Sequence, residues 1–195
     1  MKYIKVLFCL TLLILIGITG CSQKEEITSI NTVDVNHLEE YSGTYVGNNS
    51  KVIAIIRTLP GGETFKEIDL HNKTPKITYG AKGDELPEDE SLKYWFDGND
   101  TINKNFLYNA IYLTILIPNA KSYSFKMDNQ YFAISREEMM GFISKNISPL
   151  PDGDELFKKE KAQIFINNHK DKIDRIVKSQ DFRNQFFKSF PIKEL

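Results

Sequence analysis

The sequence predicts an α+β fold, a two-layer sandwich in which a helix–strand–strand unit is used twice with an antiparallel sheet, followed by closing and C-terminal helices. Three observations predict it. Apolar residues recur at helical spacing in three segments, and segments with strand character lie between them. The elements then follow the order helix, strand, strand, helix, strand, strand, helix. An antiparallel sheet with helices on one face would bury the apolar side of each element.

The first helix is short and begins where a polar stretch, GNNSK, meets an apolar run. Asn49 or Ser50 can serve as its N-cap, and Pro60–Gly62 ends it. Its apolar residues fall at i, i+3, i+4 and i+7, one face of a helix: Val52, Ile55, Ile56 and Leu59.

Segments with strand character follow at 64–70, 76–79 and 92–97. In the segment at 92–97, three residues alternate with their neighbours as one face of a half-buried strand would: Leu92, Tyr94 and Phe96.

The second unit consists of a helix over 103–117, which Pro118 stops, and a hairpin that turns at Asp128-Asn129. Ser135 and Glu138 then form a capping box that opens the closing helix. Residues 154–187 have a helical pattern with a predicted break at Asn167–His169.

The N-terminus predicts a lipoprotein signal peptide over residues 1–20. Two lysines precede a fifteen-residue apolar segment, 6–20, which is short for a bilayer span of about 30 Å. Ile18-Thr19-Gly20-Cys21 resembles the bacterial lipobox, which implies diacylglyceryl attachment to Cys21 and cleavage before it. An ordinary secretory signal with an incidental cysteine is the alternative. Because Cys9 leaves with the signal, the mature chain has no free thiol for a disulfide or a nucleophile.

The sequence divides into a signal peptide at 1–20, a polar tether at 21–40, an α+β domain at 41–168 and a C-terminal helical extension at 169–195. Without the two lysines of the signal peptide, 23 basic residues (25 − 2) face 26 acidic ones, so the net charge is about −3 and gives no reason to expect nucleic acid. The lysine-rich, arginine-poor composition is typical of AT-rich coding. It favours a Gram-positive bacterium, in which the anchor would lie on the outer face of the cell membrane.

The stretch GNNSK does not form a phosphate loop, because it has one glycine and Ser50 precedes Lys51. Asn48, Asn49 and Ser50 are typical turn and capping residues, although an exposed helix N-terminus there is also a speculative anion site. The acidic loop at 84–90 lacks calcium-loop spacing, and the three histidines lie far apart. The sequence therefore predicts no catalytic residues, no metal and no cofactor.

Aromatic residues on the predicted strands offer a second speculative binding surface. If the second face of the sheet is uncovered, Trp95 and Tyr131 would form an exposed aromatic surface suited to a protein partner or a glycan. The alternative is that the C-terminal helix covers them.

Several short motifs together resemble the domain-of-unknown-function family 4825. Its usual pattern is Y-[VI]-G-[DN]-N-S-K-V, a leucine-proline, a short strand pair, N-A on a helix, and T-R-E-[ED]-L at a helix start. The matching residues are 45–52, Leu59-Pro60, 68–70, 76–79, Asn109-Ala110 and Ser135–Met139. The resemblance covers about Gly43 to Phe165 and departs from the pattern at Ser135 and in an acidic insert at 80–91.

The resemblance implies a context but no catalytic residues. The family has no assigned activity, and it occurs in small Gram-positive lipoproteins and attached to BlaR-type antirepressor metallopeptidases, whose peptidase motif is absent from this sequence. We therefore expect a membrane-anchored extracytoplasmic lipoprotein that binds an envelope protein or glycan and is not an enzyme. An envelope hydrolase with a spatially assembled site is one alternative. A structural or immunity-type lipoprotein is another.

Overall fold

The computed structural model describes residues 26–83 and 86–195. These residues contain eight α-helices and a five-stranded sheet. The helices are α1 (Val35–Glu39), α2 (Asn49–Thr58), α3 (Glu88–Trp95), α4 (Thr101–Leu116), α5 (Arg136–Asn146), α6 (Gly153–Leu156), α7 (Lys159–Lys178) and α8 (Gln180–Ser189). The strands are β1 (Phe65–Asp69), β2 (Lys76–Tyr79), β3 (Ser122–Met127), β4 (Gln130–Ser135) and β5 (Lys193–Glu194). The predicted α+β class is confirmed.

The sheet has the order β1-β2-β3-β4-β5 and is mixed. Neighbouring strands pair antiparallel, except that β2 and β3 run parallel. The prediction of an antiparallel sheet is therefore wrong at its centre. Each helix–strand–strand unit contributes one hairpin, and α4 connects the hairpins; a crossover of this kind is what parallel neighbours require.

Helix α4 is the centre of the core. Every residue from Asn105 to Leu116 is buried, so the helix is covered on all sides. The sheet packs its inner face toward the core, and the buried side chains alternate along the strands as the pleat requires. These inner-face residues are Ile77, Tyr79, Tyr123, Phe125, Met127, Phe132 and Ile134.

Helix α2 begins one residue earlier than the sequence suggested. Its N-cap is Asn48, whose side chain accepts a hydrogen bond from the backbone N–H of Lys51, so the assignment of the cap to Asn49 or Ser50 is wrong. The predicted end holds: Leu59 is the C-cap, and Gly61 turns the chain with φ +81°. A Cβ at Gly61 would lie 2.4 Å from the ring of Trp95, so both conformation and space require glycine there.

The predicted strand at 92–97 is a helix, α3. Three acidic residues follow Pro87 and occupy its first turn, where negative charge is favourable. The buried residues Ser91 and Trp95 are four apart, which is helical spacing. The alternation of Leu92, Tyr94 and Phe96 was therefore coincidental.

The C-terminal helices belong to the same core. Helix α7 runs unbroken through Asn167–His169, and the break falls at Ser179, so the predicted break is wrong. The boundary between 168 and 169 lies inside this helix. Arg183 of α8 is 4% exposed and donates hydrogen bonds to the Asp100 carboxylate at 2.6 Å and to the Val177 carbonyl at 2.7 Å.

Most of the predicted tether is folded onto the domain. Leu38 of α1 is fully buried, and Glu39 accepts a hydrogen bond from Asn167 of α7. Further upstream, Thr28 is hydrogen-bonded to Glu63 through both its N–H and its hydroxyl. The prediction of a tether is wrong for this segment, because its polar groups form hydrogen bonds with the domain. Cys21 and the predicted signal peptide lie outside the described residues.

Candidate binding surface

The outer face of the sheet is open and polar. Helices pack on the inner face, whereas Lys76, Lys126 and Ala133 on the outer face are exposed. Strand register places two rows of side chains across this face. One row is Asp69, Lys76, Ser124 and Ala133; the other is Glu67, Thr78, Lys126 and Tyr131.

A charged cluster occupies one corner of the outer face. The Asp69 carboxylate accepts hydrogen bonds from the backbone N–H of His71 at 2.9 Å and from Lys76 Nζ at 2.9 Å. The His71 ring contacts the same carboxylate through Nδ1. The backbone N–H of His71, then Lys76 and the His71 ring, hold the pKa of Asp69 well below its usual range, and Asp69 in turn raises the pKa of Lys76. Because these groups are substantially exposed, the pair contributes little to stability.

The charged cluster adjoins a surface depression of about 700 Å³, which we call the α2–β1 depression. It is lined by Asn49, Ile53, Ile68, Asp69, Leu70 and His71. Asn49, one of the speculative binding residues, thus lines the same depression as Asp69 and His71, which the sequence did not identify as binding residues. Asn48 is used as the helix cap, and Ser50 and Lys51 are exposed on the first turn of α2.

The predicted exposed aromatic surface is wrong at Trp95. This side chain is 1% exposed, and its Nε1 donates a hydrogen bond to Thr64 Oγ1 at 2.9 Å. Because Trp95 lies on a helix rather than a strand, it points into the core and not away from the sheet. Tyr131 does lie on the outer face, where it is half-buried and pairs with Lys193 of β5. The structure therefore does not bring Trp95 and Tyr131 together.

A second groove, of about 350 Å³, lies between α5 and α8. Its apolar lining comes from Phe142, Phe182, Phe186 and Phe190. Phe182 is one of the few large apolar side chains exposed in the described part of the chain. Sequence analysis missed this groove because it depends on how α8 packs against α5.

The described residues include no group of three or more His, Cys, Asp and Glu side chains that could hold a metal ion. Across 26–83 and 86–195, no helix is long and apolar enough to span a membrane.

The family assignment rests on a sequence profile. The profile described as "Domain of unknown function (DUF4825)" matches residues 38–137, which is just over half of the chain. The chain belongs to this family. The match ends within α5, earlier than the expected Phe165. Neither the curated proteins nor the solved structures include a significant match.

The DUF4825 motif residues have structural roles in this chain. Buried Asn109 donates hydrogen bonds from Nδ2 to the Pro60 carbonyl at 3.1 Å and to the Tyr79 hydroxyl at 3.0 Å. It therefore joins the leucine-proline motif, the second strand and the N-A motif. Burial raises the pKa of Tyr79, which stays a neutral phenol.

The S-R-E-E motif of this DUF4825 chain joins two helices. Ser135 and Glu138 form the predicted capping box at the start of α5, with both reciprocal hydrogen bonds present, and the contact lowers the pKa of Glu138. Arg136 donates from Nη1 to the Thr114 carbonyl at 2.6 Å, at the C-terminal end of α4. A cation at that end also complements the helix dipole.

Proposed function

We propose that the protein is a lipoprotein, anchored through Cys21 on the extracytoplasmic face of the cell membrane, whose α+β domain binds an envelope protein or glycan without catalysing a reaction. The anchor is supported by the lipobox at Ile18–Cys21. The single observation that supports binding is the open outer face of the sheet, which continues into the α2–β1 depression.

The chemistry of the outer face defines the ligand class. The face carries both signs of charge, hydroxyl groups and one half-buried tyrosine, Tyr131, rather than a large apolar patch. Such a surface suits a polar partner, either a protein rim or a carbohydrate, because each can pair with hydroxyls and charges and stack on an aromatic ring.

Replacement of Cys21 by Ser tests the anchor. We expect Cys21→Ser to abolish lipid attachment, because serine lacks the thiol that is acylated, so that the protein is released into the medium or remains unprocessed. Fractionation with radiolabelled palmitate measures both outcomes. Processed, membrane-bound Cys21→Ser protein would refute the anchor.

Site-specific photo-cross-linking tests the binding surface. A cross-linker at Ala133, which is exposed on the outer face, should capture a reproducible envelope component in the native host. The same cross-linker at Asn168, which is exposed on α7, is the matched control. If no species specific to position 133 were captured under any growth condition, the outer face would not be the binding surface.

The envelope hydrolase is the second candidate, and the contact between Asp69 and His71 favours it. A carboxylate that orients a histidine is one part of an acid–base catalytic group. The His71 side chain is 87% exposed, however, so its site does not exclude water. If the protein hydrolysed cell-wall peptide or glycan substrates and His71→Ala eliminated that activity, the protein would be a hydrolase. Equal rates of hydrolysis for the original protein and His71→Ala would rule out this site.

A further inference from the structure

Thr28 is fastened to one end of the domain by hydrogen bonds in both directions. Its N–H and hydroxyl donate to the Glu63 carboxylate at 2.8 and 2.7 Å. Its carbonyl accepts from the Gly61 N–H at 2.8 Å and from the Tyr94 hydroxyl at 2.6 Å. The chain is therefore held at Thr28, thirteen residues before the predicted domain start at 41, so the connection to Cys21 is much shorter than a tether of 21–40.

The connection from Cys21 to Thr28 has a fixed maximum reach. Seven peptide steps separate these residues (28 − 21 = 7), and covalent geometry limits them to about 25 Å in any conformation. Acylation of Cys21 would therefore hold Thr28 within about 25 Å of the acylated residue.

Two helices connect this anchor end to the opposite end of the domain. The Tyr94 hydroxyl that contacts Thr28 also accepts from Asn105, near the start of α4. The other end of α4 is held by the segment before α2, because the Leu116 carbonyl accepts from the Thr44 N–H. Eleven residues at about 1.5 Å each separate Asn105 from Leu116, a distance of about 17 Å.

Helix α2 runs the opposite way between the same two ends. It ends just before Gly61, which is bound to Thr28, and it begins at the end where the Val46 N–H donates to Asn119. The first turn of α2, with Asn49 and the α2–β1 depression, therefore lies at the distal end of the domain.

We infer that the domain sits on the lipid surface in one orientation, with the anchor end (Thr28, Gly61 and Tyr94) toward the headgroups and the distal end (Val46–Lys51 and Asn119–Lys121) outward. This inference rests on the proposed acylation of Cys21. Inversion would place Thr28 at least one α4 length, about 17 Å, from the surface, so the connection would be stretched over most of its 25 Å limit.

The side chains beside the anchor end carry both signs of charge, because Glu63 and Asp97 lie near Tyr94 and Lys93 precedes it. Lys93 and Phe96 flank Tyr94 and Trp95 in the same turn, and both are exposed, Phe96 to 45%. A lysine can pair with anionic headgroups, and a phenyl ring can enter the interface. The orientation leaves the α2–β1 depression open to partners on other envelope components.

Single-cysteine labelling tests the orientation. The acylated chain has no free thiol, so Lys93→Cys and Lys121→Cys each place one fluorophore, at the anchor and distal ends respectively. Both positions are exposed lysines, which makes them a matched pair. The full lipoprotein is reconstituted in phosphatidylglycerol–phosphatidylcholine vesicles that carry a headgroup quencher.

We expect quenching at position 93 to exceed quenching at position 121 several-fold. Equal or reversed quenching would overturn the orientation. A variant with twenty Gly/Ser residues inserted after Glu26 should lose most of the difference; an undiminished difference would refute the length argument. Protein that fails to float with the vesicles would refute the lipid anchor itself, an outcome distinct from floating protein without preferred orientation.

Discussion

Replacing Asn109 by alanine should destabilise the domain strongly, because this one side chain joins three parts of the fold. Asn109 is fully buried on α4, and its amide donates to the Pro60 carbonyl and the Tyr79 hydroxyl. Without it, both acceptors stay buried and lose that donor, each at a cost of about 1–3 kcal/mol. Loss of Asn109 Oδ1, which is buried without a partner, offsets one such cost. We expect a net loss of about 1–3 kcal/mol.

Urea unfolding of the unlipidated domain, followed by tryptophan fluorescence, measures this loss. The chain contains one tryptophan, and Trp95 is buried beside Gly61, so its emission reports on the same part of the core. In thermal unfolding of the same protein, a loss of about 2 kcal/mol should lower the midpoint temperature by about 4–8 °C. Asn168→Ala, the same change on the exposed surface of α7, is the control and should change stability by less than about 0.5 kcal/mol. If Asn109→Ala cost no more than Asn168→Ala, the hydrogen bonds of Asn109 would not hold these segments together.

Three further predictions, the first with a control substitution, test other parts of the fold. Gly61→Ala should lower the free energy of unfolding by more than about 2 kcal/mol, because the residue has φ +81° and an added Cβ would lie 2.4 Å from the ring of Trp95. Gly98 has φ +76° but lies in open space, so Gly98→Ala, the control, should cost about 1 kcal/mol. Equal losses in urea unfolding would refute the steric argument. Arg183→Leu should cost about 1–3 kcal/mol, because the Asp100 carboxylate, which is 30% exposed, and the Val177 carbonyl both lose a donor; an unchanged unfolding midpoint would contradict this. Burial raises the pKa of Asp174, so folding favours its protonated form, and stability falls as pH rises from the ordinary aspartate pKa through the raised one. Asp174→Asn should lose that fall, and an unchanged pH profile of the unfolding midpoint would refute this.

Locally encoded elements were predictable from sequence. The strand at Lys76–Tyr79 was predicted at its observed bounds, and the capping box at Ser135 was recognised from two residues three apart. The turn at Asp128-Asn129 also holds, with Asp128 at φ 53°. Each of these features depends on side chains within one turn of the chain.

Features that depend on distant contacts were not predictable. The polar segment before Tyr41 looks unstructured by composition, yet Thr28 pairs with Glu63, 35 residues away. The parallel pairing of β2 with β3 depends on the path of α4, and α3 was misread because alternation over six residues fits a strand as well as a helix. The candidate surface has the same origin: Asn49 could be singled out from its motif, but its proximity to Asp69 and His71 depends on where β1 ends.

The structural use of the motif residues changes where a function of this family should be sought. Asn48 caps α2, Asn109 joins three buried segments, and Arg136 joins α5 to the end of α4. These roles are fulfilled inside one chain and need no ligand, so the motif can define the fold whatever the domain binds. Under the proposed function, a ligand would then contact residues whose side chains have no such structural role. In this chain such residues lie on the outer face of the sheet and around His71, and variants there, rather than variants of Asn48, Asn109 or Arg136, should change binding while leaving the unfolding midpoint unchanged.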